Sequence, residues 1–392
     1  MVPFRATWLE IDLDAIVHNY RLIRAQVGEG VGIMPIVKAD AYGHGASEVA
    51  AVLSEEGADY FGVATLDEAV ELRKAGITGS ILLLEPGDPA LAPEIIAHNL
   101  SQTLCNREMA RVLSREAAKR GARVPVHLKV DTGLGRIGLF PEEVVPFLKA
   151  ACPLPGLHFE GIFSHLASAD SKDDTYFRKQ VQSFTDVLEA VGREEIVFPL
   201  RHIANSAAIL NGHDVCFEMV RPGIALYGHV PAKRFSGKIP LEPALSLKSK
   251  ISFLKTVPRG TLVSYGCTYE TKGDSLIATL PIGYGDGFSR LLSNKGQVLI
   301  GGKRYSVVGR VCMDHIMAEL PPCAPVKVGD EAVLIGKQGN EEISATEVAD
   351  LVGTIPYEVL CLFTRRVPRL YMRGEKPQFL RTLTGRHVFS PE

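Results

Sequence analysis

The sequence predicts two domains, a parallel (β/α)8 TIM-like barrel over residues 1–240 and a mostly β domain over 241–392. Three observations carry that expectation. Short apolar runs alternate with amphipathic helical stretches from about residue 30 to 230. Polar residues of chemical character fall near the ends of those runs. After Pro240-Leu-Glu-Pro243 the texture changes to short β-like runs separated by glycines.

The first-domain runs are 33–37, 60–64, 81–84, 103–105, 126–130, 159–163, 202–204 and 224–227. Eight such runs alternating with helices indicate a parallel barrel. The third and fourth runs are weak, so periodicity alone also admits a doubly wound sheet. Among the helical stretches, Phe177, Val181, Phe184 and Leu188 share one face by their spacing. The stretch Leu66-Asp-Glu-Ala-Val-Glu-Leu-Arg-Lys-Ala75 stops at Gly76, a residue suited to a helix C-terminus. Ser47 is placed to cap a helix from about Glu48.

In the second domain, runs 246–257, 276–282, 297–300, 305–310 and 332–335 are alternating or β-branched. Only 345–351 and the region around Thr354 read as helix. The opening run 6–11 precedes the first barrel helix and is expected to pair with this second domain.

Composition narrows the function classes. A chain of 392 residues is comfortable for two cores, and 46% apolar with 22% charged residues is ordinary for a globular protein. A net charge of -2 gives no electrostatic case for nucleic acid or a membrane surface. The first ten residues lack the apolar core and cleavage site of a signal peptide, and no run of about 18 uncharged apolar residues exists. The seven cysteines form no C-x-x-C pair, which suggests reduced thiols in a cytoplasm and no zinc site. The histidines show no ligand spacing, so no metal is expected.

The chemistry begins at Pro35-Ile-Val-Lys-Ala-Asp-Ala-Tyr-Gly-His-Gly45. Lys38 ends an apolar run, where desolvation can lower the amine's pKa and make it a nucleophile and base. Those are the requirements of a Schiff-base lysine; a lysine snorkelling into water is the plainer reading. His127-Leu-Lys-Val-Asp-Thr-Gly-Leu-Gly-Arg-Ile-Gly138 puts Lys129 and Asp131 at another strand end before a glycine-rich turn. Arg136 suits a substrate carboxylate, or pairs with Asp131. His165 either stacks on a planar ring or satisfies a buried hydrogen bond. Arg201-His-Ile-Ala-Asn-Ser206 and Met219-Val-Arg-Pro-Gly-Ile224 end the barrel's contribution. Amides near Ser206 and around Gly223 and Ile224 suit a phosphate, since barrel phosphate sites lie after the last two strands.

Taken together, these strings resemble the alanine racemases, a family carrying pyridoxal phosphate. The resemblance extends to Val263-Ser-Tyr-Gly-Cys-Thr-Tyr-Glu270, Leu280-Pro-Ile-Gly-Tyr-Gly-Asp-Gly-Phe288, Val308-Gly-Arg-Val-Cys-Met-Asp314 and Ile355-Pro-Tyr-Glu358. It runs from Trp8-Leu-Glu-Ile-Asp12 to Arg365-Arg-Val-Pro-Arg369, nearly the whole chain. Resemblance implies that Lys38 holds the cofactor and takes the α-proton of D-alanine, while Tyr265 takes that of L-alanine. A tyrosine chosen blind in a strand is usually packing. Neighbours such as Arg136 and His165 could acidify this phenol.

Resemblance further implies phosphate contacts from Tyr42 and Tyr357, with Asn205, Ser206, Gly223 and Ile224 completing the cofactor set. Arg221 would face the pyridine nitrogen and keep it unprotonated, oriented by His202; otherwise Arg221 reads as an ion-pair partner. Arg136 and the Met313 amide would hold the substrate carboxylate. Lys129 would orient Arg136 once carbamylated. Tyr284 and Asp314 would line the site and its entrance. The family commonly has methionine where this chain has Leu134, a mild departure. A homodimer with shared sites, supplying D-alanine for peptidoglycan, is implied as well.

Two other classes share part of the pattern. A related pyridoxal phosphate decarboxylase should lack the Val-Ser-Tyr-Gly context, and a non-catalytic cofactor-binding protein should end near the barrel. A racemase acting on serine or basic amino acids is the closer rival.

Overall fold

The computed structural model describes residues 5–212 and 215–389. The first four residues of the stretch read as lacking a signal peptide lie outside the described residues. The chain divides into two compact units. One comprises Ile16–Ala41 and Gly45–Glu242; the other comprises Met1–Ala15, Tyr42–His44 and Pro243–Glu392.

The first unit is a closed barrel of parallel strands. Six strands pair in chain order: Tyr60–Val63, Ser80–Leu83, Ser101–Leu104, Val124–Lys129, Leu157–Phe163 and Leu200–His202. Gly32–Ile33 pairs in parallel with Met219–Val220. Single bridges from Ile36 to Gly62 and from Asn205 to Arg221 join this pair to the six-stranded sheet and close the ring. The closure decides against a doubly wound sheet, whose edges stay open.

Amphipathic helices alternate with the strands. Thr175–Arg193 buries Phe177, Phe184, Val187 and Val191, so the inward face is rotated slightly from the one spaced through Val181 and Leu188. Leu66–Lys74 opens with a capping box between Thr65 and Glu68.

Two local expectations fail. The run 224–227 is no strand: Ile224–Tyr227 is a buried 3-10 turn, and the eighth strand is Met219–Val220. An apolar run this short does not distinguish strand from buried turn, and Pro222-Gly223 breaks the chain just before it. Arg221 therefore follows its strand, at the same end of the barrel as Lys38, Lys129 and His165. Ser47 does not cap its helix either. Ala46–Glu55 starts two residues before Glu48, and the Asp40 carboxylate accepts from the Ala46 N–H at 2.9 Å.

The second unit is built on a large mixed sheet. Its strands run in the order Phe253–Val257, Ser275–Leu280, Ile316–Leu320, Lys303–Val307, Gln297–Ile300, Glu331–Gln338, Leu245–Lys250, Thr7–Asp12, Arg369–Arg373, Lys376–Thr382 and Gly385–Val388. Thr7–Asp12 lies antiparallel to Leu245–Lys250 and parallel to Arg369–Arg373. Leu245–Lys250 buries alternate residues, as a strand with one covered face must. A separate hairpin, Leu262–Val263 with Tyr269–Glu270, is anchored where Val263 packs with Val257, Ile277 and Val308.

Candidate active site

Lys38 begins a turn that few sequences tolerate. Ala39, Asp40, Ala41 and Tyr42 all have φ of 52–53°, a left-handed helical turn without glycine. Each such residue costs roughly 1–2 kcal/mol against its right-handed form, so the turn persists only because its surroundings over-determine it. The Glu68 carboxylate accepts from the Ala39 N–H at 2.7 Å while also accepting from the Ala64 N–H at 2.7 Å. Ala41 N–H donates to the Val37 carbonyl at 2.9 Å, and Gly45 N–H to the Asp40 carbonyl at 2.8 Å. Lys38 itself is half-buried.

Lys129 is the last residue of its strand and almost wholly buried. Its ammonium donates to the Val130 carbonyl at 2.8 Å and lies 5.2 Å above the centre of the Phe163 ring. Burial, then Arg221, push its amine down to about 7, against the opposing pull of Asp131. The amine is thus substantially neutral near pH 7, unusual for lysine.

The alternative of an Arg136–Asp131 pair is resolved by the turn between them. The Asp131 carboxylate accepts from the N–H groups of Gly133, Leu134 and Gly135 at 2.9, 2.9 and 3.1 Å. A β-carbon on Gly138 would come within 2.6 Å of the Asp131 nitrogen, at a φ of +126°; glycine is required there. With Asp131 committed to the loop, Arg136 is exposed and makes no ion pair among the described residues.

Arg221 is fully buried, and no carboxylate stands beside it among the described residues. It donates to His202 Nδ1 at 2.7 Å and to the Ser164 carbonyl at 2.7 Å, and it lies 3.3 Å from His165 Nδ1. Burial and Arg136 pull its guanidinium down to about 9, which leaves it protonated at neutral pH. Burial, followed by the charges of Arg221, Lys129, Arg136 and Lys38, holds His165 well below the usual imidazole range. Four basic side chains therefore converge on one neutral ring, and those that are charged make a field that favours an anionic ligand.

Asn205 caps the short helix Ser206–Asn211 through the Ala208 N–H. Ser206 Oγ accepts from Gly223 N–H at 2.9 Å and Ala225 N–H at 3.3 Å, binding two neighbouring turns together.

On the second unit, Tyr265 sits in a 3-10 turn and is 70% exposed. It does not pack in a strand. The turn is strained at Ser264, whose φ is 67°, and Ser264 Oγ donates to the Arg310 carbonyl at 2.6 Å. Tyr284 and Met313 are exposed and held together by their backbones, with Tyr284 N–H donating to Cys312 O and Gly285 N–H to Met313 O, both at 3.0 Å. A β-carbon on Gly283 would lie 2.2 Å from the Cys312 oxygen, so only glycine allows this approach. Asp314 pairs with Arg366 at 2.6 Å. The rings of Tyr42 and Tyr357 are 6.0 Å apart, and burial, then Tyr357, raise the Tyr42 phenol.

Comparison with known proteins gives this arrangement a family. The family description "Alanine racemase, N-terminal domain" matches residues 11–231, and "Alanine racemase, C-terminal domain" matches 244–371. The chain belongs to the alanine racemase family. The alanine racemase of Desulforamulus reducens is 47% identical over 367 residues, 93% of this chain and 98% of that protein. Alanine racemase 1 of Caldanaerobacter subterraneus subsp. tengcongensis is 44% identical, over 94% and 95% respectively. Among solved structures, alanine racemase of Clostridium difficile 630 aligns with a TM-score of 0.93 at 39% identity, covering 97% of this chain and 99% of that one. That of Bacillus anthracis with bound L-Ala-P gives 0.93 at 40%, covering 98% and 99%. Alanine racemases are isomerases, so the chain is an enzyme of that class.

Glu68, Glu160 and Arg310 were not singled out by sequence reasoning. Thr65-x-x-Glu68 is legible as a capping box, but nothing local announces its third partner at Ala39. Arg310 lies with its guanidinium carbon 3.3 Å from where a Gly266 β-carbon would sit, next to the Tyr265 turn.

Proposed function

We propose that this protein interconverts L- and D-alanine using pyridoxal 5'-phosphate, by a two-base mechanism, as a cytoplasmic supplier of D-alanine for peptidoglycan. The observation that most supports it is the setting of Arg221: a buried cation whose neighbours are a neutral histidine, carbonyls and a second neutral imidazole. The donor set fits the cofactor. A half-buried primary amine at Lys38, Ser206 tied to the Gly223 amide and the buried guanidinium of Arg221 suit an aldehyde, a phosphate and a ring nitrogen respectively. Bound pyridoxal phosphate would withdraw electrons from the amino acid's Cα–H bond.

The remaining work falls to the chain's own groups. Lys38 Nζ would accept the α-proton of D-alanine, and Tyr265 Oη that of L-alanine. Arg136 and the Met313 amide would hold the substrate carboxylate. Tyr42, Tyr357, Ser206, Gly223 and Ile224 would hold the phosphate, with Asn205 ordering the turn. Arg221 cannot readily surrender its proton, so it would leave the ring nitrogen unprotonated and restrain electron withdrawal; His202 orients it, and His165 flanks the ring. Tyr284 and Asp314 would shape the entrance. The near-neutral pKa of Lys129 supports carbamylation, which would convert a cation into an anion able to orient Arg136.

Tyr265 and Met313 are exposed, which supports a homodimer whose partner completes each site. Discrimination between alanine and serine in one pocket is worth only about 1–3 kcal/mol, a difference that relative rates resolve. Racemisation rates over L-alanine, L-serine, L-lysine and L-arginine should be highest for alanine; a faster rate with another substrate would reject this reading.

A further inference from the structure

We propose that Glu160 is the counter-charge of Arg221, acting as a positioning residue through a one-way hydrogen-bond relay across the barrel interior. The inference rests on the reading that Arg221 faces the cofactor ring, but the relay itself is independent of it.

The relay joins four residues, with Tyr60 and Ser101 beside its far end. Arg221 meets His202 Nδ1 at 2.7 Å, and His202 Nε2 meets His127 Nδ1 at 2.8 Å. His127 Nε2 lies 2.7 Å from Tyr60 Oη and 3.1 Å from Glu160 Oε2. Tyr60 Oη donates to the same Glu160 oxygen at 2.8 Å, and Ser101 Oγ reaches it at 3.3 Å. The direction is forced from one end. A guanidinium only donates, so His202 Nδ1 must accept and its proton must sit on Nε2. His127 must then accept at Nδ1 and donate from Nε2. A proton added to either ring would set donor against donor.

The path crosses a space that barrels usually fill with branched aliphatic side chains. Arg221 and His202 lie at the C-terminal ends of their strands, whereas Tyr60 and Ser101 begin theirs. Room is made for it: a β-carbon on Gly161 would come within 2.3 Å of His127 Nδ1. His202 stacks on Phe163 at 4.8 Å with the rings 6° from parallel, which fixes the imidazole plane.

The charge balance gives the relay its purpose. A buried cation without an anion is costly, and Arg221 has no direct carboxylate among the described residues. Burial raises the Glu160 carboxyl, but hydrogen bonds from His127, Tyr60 and Ser101 outweigh it and hold the group ionised. Burial also keeps both histidines neutral. Hydrogen bonds in such a chain polarise one another, so an anion at Glu160 strengthens His202 Nδ1 as an acceptor and holds the guanidinium in place.

The test uses the holoenzyme with 15N-labelled histidine. In the wild type, His127 and His202 should both be neutral with the proton on Nε2; a cationic ring or an Nδ1–H tautomer in either would overturn the relay whatever the activity. Glu160→Gln should shift both resonances and lower kcat on the order of tenfold, with KM for alanine little changed. That loss should largely vanish in an Arg221→Ala background, because the two act through one chain. Additive losses would mean that Glu160 is only structural. If wild-type protein failed to racemise alanine while the tautomers were as stated, the functional reading would fall and the relay would stand.

Discussion

Lys38 and Lys129 differ by environment more than by sequence. Both follow apolar runs, yet Lys129 is the more deeply buried and its amine falls to about 7. Only a neutral amine adds to carbon dioxide, so Lys129 should gain the mass of one CO2, increasingly as pH rises from 6 to 8. Intact-mass analysis in bicarbonate, with Lys129→Ala as control, checks this; activity lost in Lys129→Ala should return in part with a short carboxylate. The sign for stability follows. A folded pKa of about 7 against 10.5 means the unfolded chain binds more protons between those values, so unmodified Lys129 weakens the fold below pH 7. That penalty fades as pH rises through the window. For Lys38, borohydride reduction of the holoenzyme should fix the cofactor to the 35–45 peptide; label on Lys129 would overturn the assignment. The exposed Tyr265 makes a sharper prediction. Tyr265→Phe should slow inversion by ~10²–10⁴-fold, while D-alanine still exchanges its α-hydrogen with solvent deuterium. Equal residual exchange from both enantiomers would reject Tyr265 as the L-specific base.

At the scale of elements, the left-handed turn after Lys38 is the part least written in local pattern. Propensity gives no reason for Ala-Asp-Ala-Tyr to adopt it. Its causes lie outside the turn: Glu68, 29 residues on, accepts the Ala39 N–H, and the Asp40 carboxylate accepts the Ala46 N–H at the start of the helix that Ser47 was expected to cap. Glu68→Ala strands three backbone donors, those of Ala39, Ala64 and Thr65, and should cost about 1–3 kcal/mol of stability, with reduced cofactor retention; thermal unfolding and cofactor dialysis measure the two. Unchanged retention would mean that the turn holds itself. Most barrel strands were legible because a parallel strand buried on both faces reads as a short apolar run. The 224–227 run has the same composition as a strand, and only the pairing of Met219–Val220 with Gly32–Ile33 reveals the difference. Ile316–Leu320 and the strands after Arg369 were missed because their alternation is diluted by charged residues on the open face.

For the whole molecule, the order of barrel and β domain followed from the change of texture after Pro243, and the chemistry from strings matching a family along nearly the full length. The partner of each string was not legible, since Asp131 and Arg136 look like a pair in sequence and are not one in space. The central claim is that racemisation needs Lys38 from one copy and Tyr265 from another. Lys38→Ala and Tyr265→Ala proteins, each inactive alone, can be mixed under conditions of verified subunit exchange. Half the dimers would then be mixed, each with one intact site, and about a quarter of wild-type activity should return. No recovery despite exchange, or full activity in a monomer at assay concentration, would contradict the account.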